Sequence, residues 1–128
     1  MTTDLMMLTW SAVLFALLFA PYGIGQSIHW GLPLAAGNRA STPPLPEWAN
    51  RAVRAHRNMA ENFPHFAALV LVAAVAGKAN DLTALGATIF FWARLGHAAL
   101  YIVGVPWLRT IAFFTGLTGE AIILRQLF

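Results

Sequence analysis

The sequence contains 128 residues, of which 59% are hydrophobic and 10% are charged, and its formal net charge is +3. Soluble domains carry about 25% charged residues, so this composition indicates a membrane protein. The absence of cysteine excludes disulfides, thiolate nucleophiles and cysteine-ligated metals, and the arginines are too deeply embedded in apolar sequence to indicate nucleic-acid binding.

Four apolar stretches are each long enough to cross a bilayer, which requires about 20 residues. The first has no formally charged residue between Leu5 and Asn38. We predict an all-α integral membrane protein with four transmembrane helices, which form a single domain over residues 1–128. The helices are expected at about 5–30, 46–77, 81–104 and 106–128.

Proline and glycine mark the expected ends of these helices. Pro46 and Pro106 suit the first turns of the second and fourth helices. The sequence GKAND at 77–81 supplies a glycine stop and an asparagine or aspartate cap. Pro21 and Pro64 lie inside helices and are expected to kink them.

The distribution of positive charge predicts the orientation, because lysine and arginine are retained on the cytoplasmic side. Most arginines fall in the connection between the first two helices, in the adjoining part of the second helix or at the start of the fourth. The opposite side has only Lys78 and Arg125. Both termini are therefore expected outside the cytoplasm. The start of the chain, MTTDL, lacks the positive charges of a signal peptide, so the first helix is expected to remain.

The second helix carries a stripe of polar residues. Their spacings of 3, 4, 3 and 4 place them on one helical face: Arg51, Arg54, Asn58, Glu61 and His65. Because ionisable groups facing lipid are costly, this stripe is expected to face other helices or a wet cleft. A structural polar network that fixes the assembly of subunits is the alternative.

A second polar stripe lies on the third helix, where Arg94, His97 and Tyr101 are spaced by 3 and 4. The fourth helix begins nearby with Arg109. These groups are expected to meet at one depth on the cytoplasmic side. Several arginines favour carboxylates or phosphates, and an isolated glutamate favours an ammonium group. Glutathione has these groups, but a phospholipid headgroup would fit equally well.

The stretch RAVRAHRNMAENFPHF at 51–66 resembles the second-helix signature of the MAPEG family, the membrane-associated proteins in eicosanoid and glutathione metabolism. The matching positions are Arg54, Ala55, Asn58, Glu61 and Pro64. The stretches RLGHAALY and PWLRT further along the chain are also similar to the family. The resemblance covers essentially the whole chain.

This resemblance implies a homotrimer that binds glutathione as co-substrate in clefts between subunits, open to the cytosol. A lipophilic substrate would enter from the lipid bilayer. Arg109 matches an arginine that stabilises the glutathione thiolate in some members, and Tyr101, which matches a glutathione contact, is expected to be a second catalytic donor. The implied glutathione contacts are Arg51, Arg54, His56, Arg57, Asn58, Glu61, Arg94, His97, Tyr101 and Thr110.

The sequence also departs from the catalytic members, which carry an arginine near the cytosolic end of the first helix. Here the polar residues of that region are Gln26, Ser27 and His29, and the first arginine is Arg39. Two functions therefore remain open. The protein is a glutathione transferase or peroxidase of the bacterial inner membrane, or a non-catalytic scaffold or accessory subunit with the same fold. A transporter is less favoured, since the polar stripes stop at one leaflet. Glu120 is expected to form a structural ion pair or to snorkel.

Overall fold

The computed structural model describes all 128 residues, which form an all-helical chain without strands. The helices occur in the order α1 (Thr3–Leu17), α2 (Phe19–Trp30), α3 (Leu32–Ala36), α4 (Glu47–Val75), α5 (Asp81–Val103) and α6 (Pro106–Leu127).

Three segments are long and apolar enough to cross a membrane, judged by length and composition. They are the combined α1–α2 segment Thr3–Trp30, then α5 and α6. Helix α4 has 29 residues and is also long enough, but its first half contains most of the polar stripe. The structure thus supports a helical membrane protein, while the count of four membrane spans stays a prediction.

The two internal prolines have different effects on their helices. Pro21 has no N–H to donate to the carbonyl of Leu17, and α1 ends at that residue before α2 begins at Phe19. The predicted first helix is therefore two helical segments. By contrast, α4 continues without interruption through Pro64.

Several residues that the sequence marks as helix ends lie at helix ends in the structure. Pro46 is the N-cap of α4, and Pro106 lies in the first turn of α6. Gly77 adopts a left-handed φ of 65° after α4. The Asn80 side chain accepts hydrogen bonds from the backbone N–H groups of Leu82 and Thr83, as part of a capping box.

Helices α5 and α6 form the closest helix pair because two glycines face each other. A Cβ atom on Gly86 would lie 2.5 Å from the carbonyl oxygen of Gly119, and the reverse substitution would give the same distance. This contact agrees with the expectation that the small residues at 115–119 allow close helix packing. Next to it, the Phe66 ring of α4 stacks on Phe90 of α5 with 3.7 Å between the centroids.

A buried carboxylate connects α1 to α5. Asp4 is 2% exposed and accepts a hydrogen bond of 3.1 Å from the Thr83 hydroxyl. This contact was not predicted from the sequence. Together with the aromatic core, it holds the N-terminal helix against the α5–α6 pair.

Candidate functional site

Polar side chains of α4 and α5 meet inside the helix bundle. Arg94 is only 2% exposed, and its Nη2 atom donates a hydrogen bond to Oδ1 of Asn58. The Arg94 guanidinium also lies 5.9 Å from the centroid of the Phe113 ring, while its Nε has no hydrogen-bond partner. The predicted meeting of the two stripes therefore occurs at this pair.

One helical turn further along α5, His97 and Tyr101 face α6. His97 is 3% exposed, its Nδ1 has no partner, and its ring centroid lies 5.5 Å from that of Tyr101. The Arg109 guanidinium of α6 lies over the Tyr101 ring, 4.3 Å from the centroid. A cation, a phenol and an imidazole are thus close together near the α5–α6 turn.

Arg51 extends this cluster from α4. Its Nε donates a hydrogen bond of 2.9 Å to the carbonyl oxygen of Ile102 in the last turn of α5. Its side chain also lies beside Gly104, where an added Cβ would be 3.3 Å from the same Nε. Arg51 therefore holds the first half of α4 against the end of α5.

Four other predicted residues are exposed on the surface of the chain. Arg54 is exposed and forms an ion pair of 2.6 Å with Glu47, whose side chain is also exposed. Arg57 and Glu61 are exposed and form no ion pair within the chain. Thr110 is exposed as well, and its hydroxyl donates to the carbonyl oxygen of Pro106.

His56 packs against the first two helices rather than against α5. Its ring centroid lies 5.1 Å from that of Phe15 and 5.0 Å from that of Tyr22. The structure therefore divides the predicted binding residues into an interior group, an outward-facing group and His56 on the α1–α2 side.

Two polar residues of the interior were not assigned to the site from the sequence. Asn62 is 6% exposed and donates a hydrogen bond of 2.7 Å to the backbone carbonyl of Asn58. The sequence could have indicated this residue, because it lies one helical turn after Asn58. Glu120 of α6 accepts from or donates to Nδ1 of His65 at 2.7 Å, depending on protonation, and its other carboxylate oxygen has no partner. Glu120 thus has a polar partner that the sequence did not identify, and the contact is the expected ion pair when His65 is protonated.

The chemistry of the interior cluster suits an anion. Arg51, Arg94 and Arg109 supply three cations, and Tyr101 supplies a phenolic hydroxyl, on neighbouring turns of three helices. Guanidinium groups bind carboxylates through paired hydrogen bonds. No group of three histidine, cysteine, aspartate or glutamate side chains could hold a metal ion.

Helices that are apolar and long enough to cross a membrane surround a buried polar cluster. This arrangement is that of a helical membrane protein. The chain belongs to the MAPEG family, whose family model matches residues 5–127. The family includes glutathione transferases and peroxidases as well as non-catalytic members. Comparisons with curated proteins and with solved structures gave no match.

Proposed function

We propose that this protein binds glutathione and uses it to attack lipophilic electrophiles that enter from the bilayer, as a transferase or peroxidase. The proposal rests on the contact of the Arg109 guanidinium with the Tyr101 ring, which lies beside His97 and Arg94. This contact occurs in a chain of the MAPEG family. We propose further that the site faces the cytoplasm from a bacterial inner membrane, with both termini in the periplasm, because most arginines lie on the side of the site.

The outward-facing residues of α4 suit recognition of the tripeptide in a cleft that a neighbouring subunit completes. Arg54 would exchange its exposed partner Glu47 for a glutathione carboxylate, which costs little because exposed ion pairs are weak. Glu61 is exposed and has no ion pair in the chain, so it is available to the ammonium group. His56, Arg57, Asn58 and Thr110 complete the proposed binding set together with Arg51 and the α5 residues.

Catalysis in this proposal depends on the charge of the bound sulfur. A nearby cation favours the thiolate, which is the nucleophilic form. The Arg109 guanidinium would stabilise this anion, with the Tyr101 hydroxyl as a second donor, while the thiol proton passes to solvent. In the transferase reaction the sulfur bonds to the electrophilic carbon, and the leaving group departs with the electron pair of the broken bond.

The test is the ultraviolet absorbance of the purified protein titrated with glutathione near neutral pH, alongside calorimetric binding. We expect a thiolate band in the wild-type protein. Arg109→Ala should abolish the band while most of the binding remains. Arg54→Ala should lower the affinity roughly tenfold or more, because it removes a charge-assisted hydrogen bond worth about 1.5–3 kcal/mol.

Arg125→Ala is the matched control, since this exposed arginine lies in the last turn of α6, at the opposite end from Arg109. It should change neither the band nor the affinity. Absence of glutathione binding to the wild-type protein would contradict the proposal. A band that persists in Arg109→Ala would show that another residue stabilises the thiolate.

A non-catalytic membrane scaffold is the second candidate, and a specific observation favours it. Within one chain, Arg94 binds Asn58, Arg54 binds Glu47, and His65 binds Glu120. Such internal pairing is also what a structural polar network would contain, and the first helix lacks the arginine of catalytic family members. Glutathione that binds but remains a thiol would favour this function.

A further inference from the structure

A cavity with polar lining residues lies between α2 and α3, away from the interior cluster of α4, α5 and α6. The chain turns at Gly31, whose φ is 78°, and α3 folds back beside the end of α2. The open cavity between them, of about 200 Å³, is lined by apolar residues and by Gln26, Ser27 and Arg39. None of these three belongs to the proposed glutathione site.

Gln26 is the most unusual residue of this cavity. It is only 7% exposed, and its side-chain amide forms no hydrogen bond with the rest of the chain. Although the residue is buried, its amide oxygen and nitrogen are not fully enclosed by protein atoms, and Gln26 lines the cavity. The amide is therefore free to bind a polar group that enters the cavity.

Arg39 supplies the charge that such a ligand would need. Its Nε donates a hydrogen bond of 2.6 Å to the carbonyl oxygen of Ala35, and its guanidinium lies 5.9 Å from the Trp30 ring centroid. Arg39 is exposed, and these contacts leave both terminal amino groups of its guanidinium without a protein acceptor. A guanidinium with two free amino groups suits a phosphate or carboxylate.

An apolar cavity of about 410 Å³ adjoins the polar one and shares Phe19, Gly23 and Ser27 with it. It continues along α2 over Ile24 and Ile28, which are 56% and 68% exposed. Helix α2 belongs to the membrane-length segment Thr3–Trp30. The two cavities together thus form one groove with a cationic end and an apolar end.

We propose that this groove binds a phospholipid with an anionic headgroup. Arg39 and Gln26 contact the headgroup phosphate, and an acyl chain lies along Ile24 and Ile28. Charge complementarity favours an anionic lipid, because residues 31–57 contain four arginines and only one acid, Glu47. This site does not depend on glutathione binding, and its test does not require enzymatic activity.

The test is native mass spectrometry of the detergent-purified protein titrated with phosphatidylglycerol or phosphatidylcholine. We expect retention of phosphatidylglycerol in preference to phosphatidylcholine. Arg39→Gln should weaken phosphatidylglycerol binding roughly tenfold or more, as expected for a lost charge-assisted hydrogen bond. Gln26→Leu, which keeps the size of the side chain, should also weaken it several-fold. Arg125→Gln makes the same charge change at the other end of the molecule and should have no effect.

Size-exclusion chromatography and circular dichroism identify any variant that fails to fold. If Arg39→Gln fails to fold, Gln26→Leu still tests the proposal. Equal binding of the two lipids, or unchanged binding by folded variants, would overturn the proposal. Competition by soluble glycerol phosphate at the same concentrations would show a site for free anions rather than lipid. Disulfide cross-linking between two chains carrying Ile28→Cys would show that a second copy covers the groove, which also overturns it.

Discussion

At the scale of single residues, Arg94 is a fully buried charge whose one hydrogen-bond partner is Asn58. We expect Asn58→Leu to destabilise the protein by about 1.5–3 kcal/mol, because it leaves a buried guanidinium without its acceptor. The measurement is thermal unfolding in detergent, followed by tryptophan fluorescence.

The double variant Asn58→Leu/Arg94→Met is the informative companion. Replacing both members of a buried polar pair by apolar residues of similar size is often neutral or stabilising. The double variant should therefore unfold at a higher temperature than Asn58→Leu alone. If the two variants are equally unstable, the Asn58–Arg94 contact is not what stabilises this region.

The sequence was sufficient to predict contacts that follow from helical spacing. Both stripes were expected to face other helices or a wet cleft, and Asn58, Arg94 and His97 of these stripes do lie against neighbouring helices. By contrast, the contacts of Asp4 with Thr83 and of His65 with Glu120 join residues far apart in the chain. Spacing within one helix cannot predict such pairs, since they depend on how the helices are arranged around one another.

At the scale of helices, the α5–α6 contact depends on Gly119, because any side chain there meets the backbone of Gly86. Gly119→Ala should separate the two helices and destabilise the protein by about 1–3 kcal/mol, the usual cost of overpacking a tight core. Gly96 on α5 is the matched control, since an added Cβ at this position has nothing within 4 Å.

Gly96→Ala should be neutral or slightly stabilising, because alanine favours helix by about 1 kcal/mol over glycine. The same detergent unfolding assay checks both variants. Equal stability of Gly119→Ala and Gly96→Ala would contradict the importance of the glycine contact.

Helix boundaries were predicted well where a residue has a strong local preference. Pro46, Asn80 and Pro106 each lie at a helix start, as expected from capping and first-turn preferences. The short helix α3 was missed because residues 32–36 lack an apolar periodicity long enough to detect. Its formation depends on the turn at Gly31 and on packing against α2.

At the scale of the whole molecule, Glu61 lies in the middle of α4 and is exposed on the surface of one chain. A carboxylate facing lipid is costly, so another chain covering this surface would be favourable. We expect the protein to be a homotrimer, as the family resemblance implies. Native mass spectrometry in detergent measures the number of chains directly.

Glu61→Leu supplies a second measurement of the same surface. If the interface contains a polar contact of Glu61, this variant should have a weaker trimer, which on dilution dissociates at a higher protein concentration than the wild type. A wild-type protein that is monomeric at every concentration would contradict the trimer, and with it the proposed glutathione cleft between subunits.

The glycine contact between α5 and α6 also affects the order in which the helices assemble. These helices are joined only by Gly104 and Val105, and their contact needs no residue from the first half of the chain. In the two-stage description of membrane folding, helices that insert separately then associate through close packing. The α5–α6 hairpin can therefore associate once both helices have inserted, and α1 and α4 can then dock on a helix pair that is already assembled.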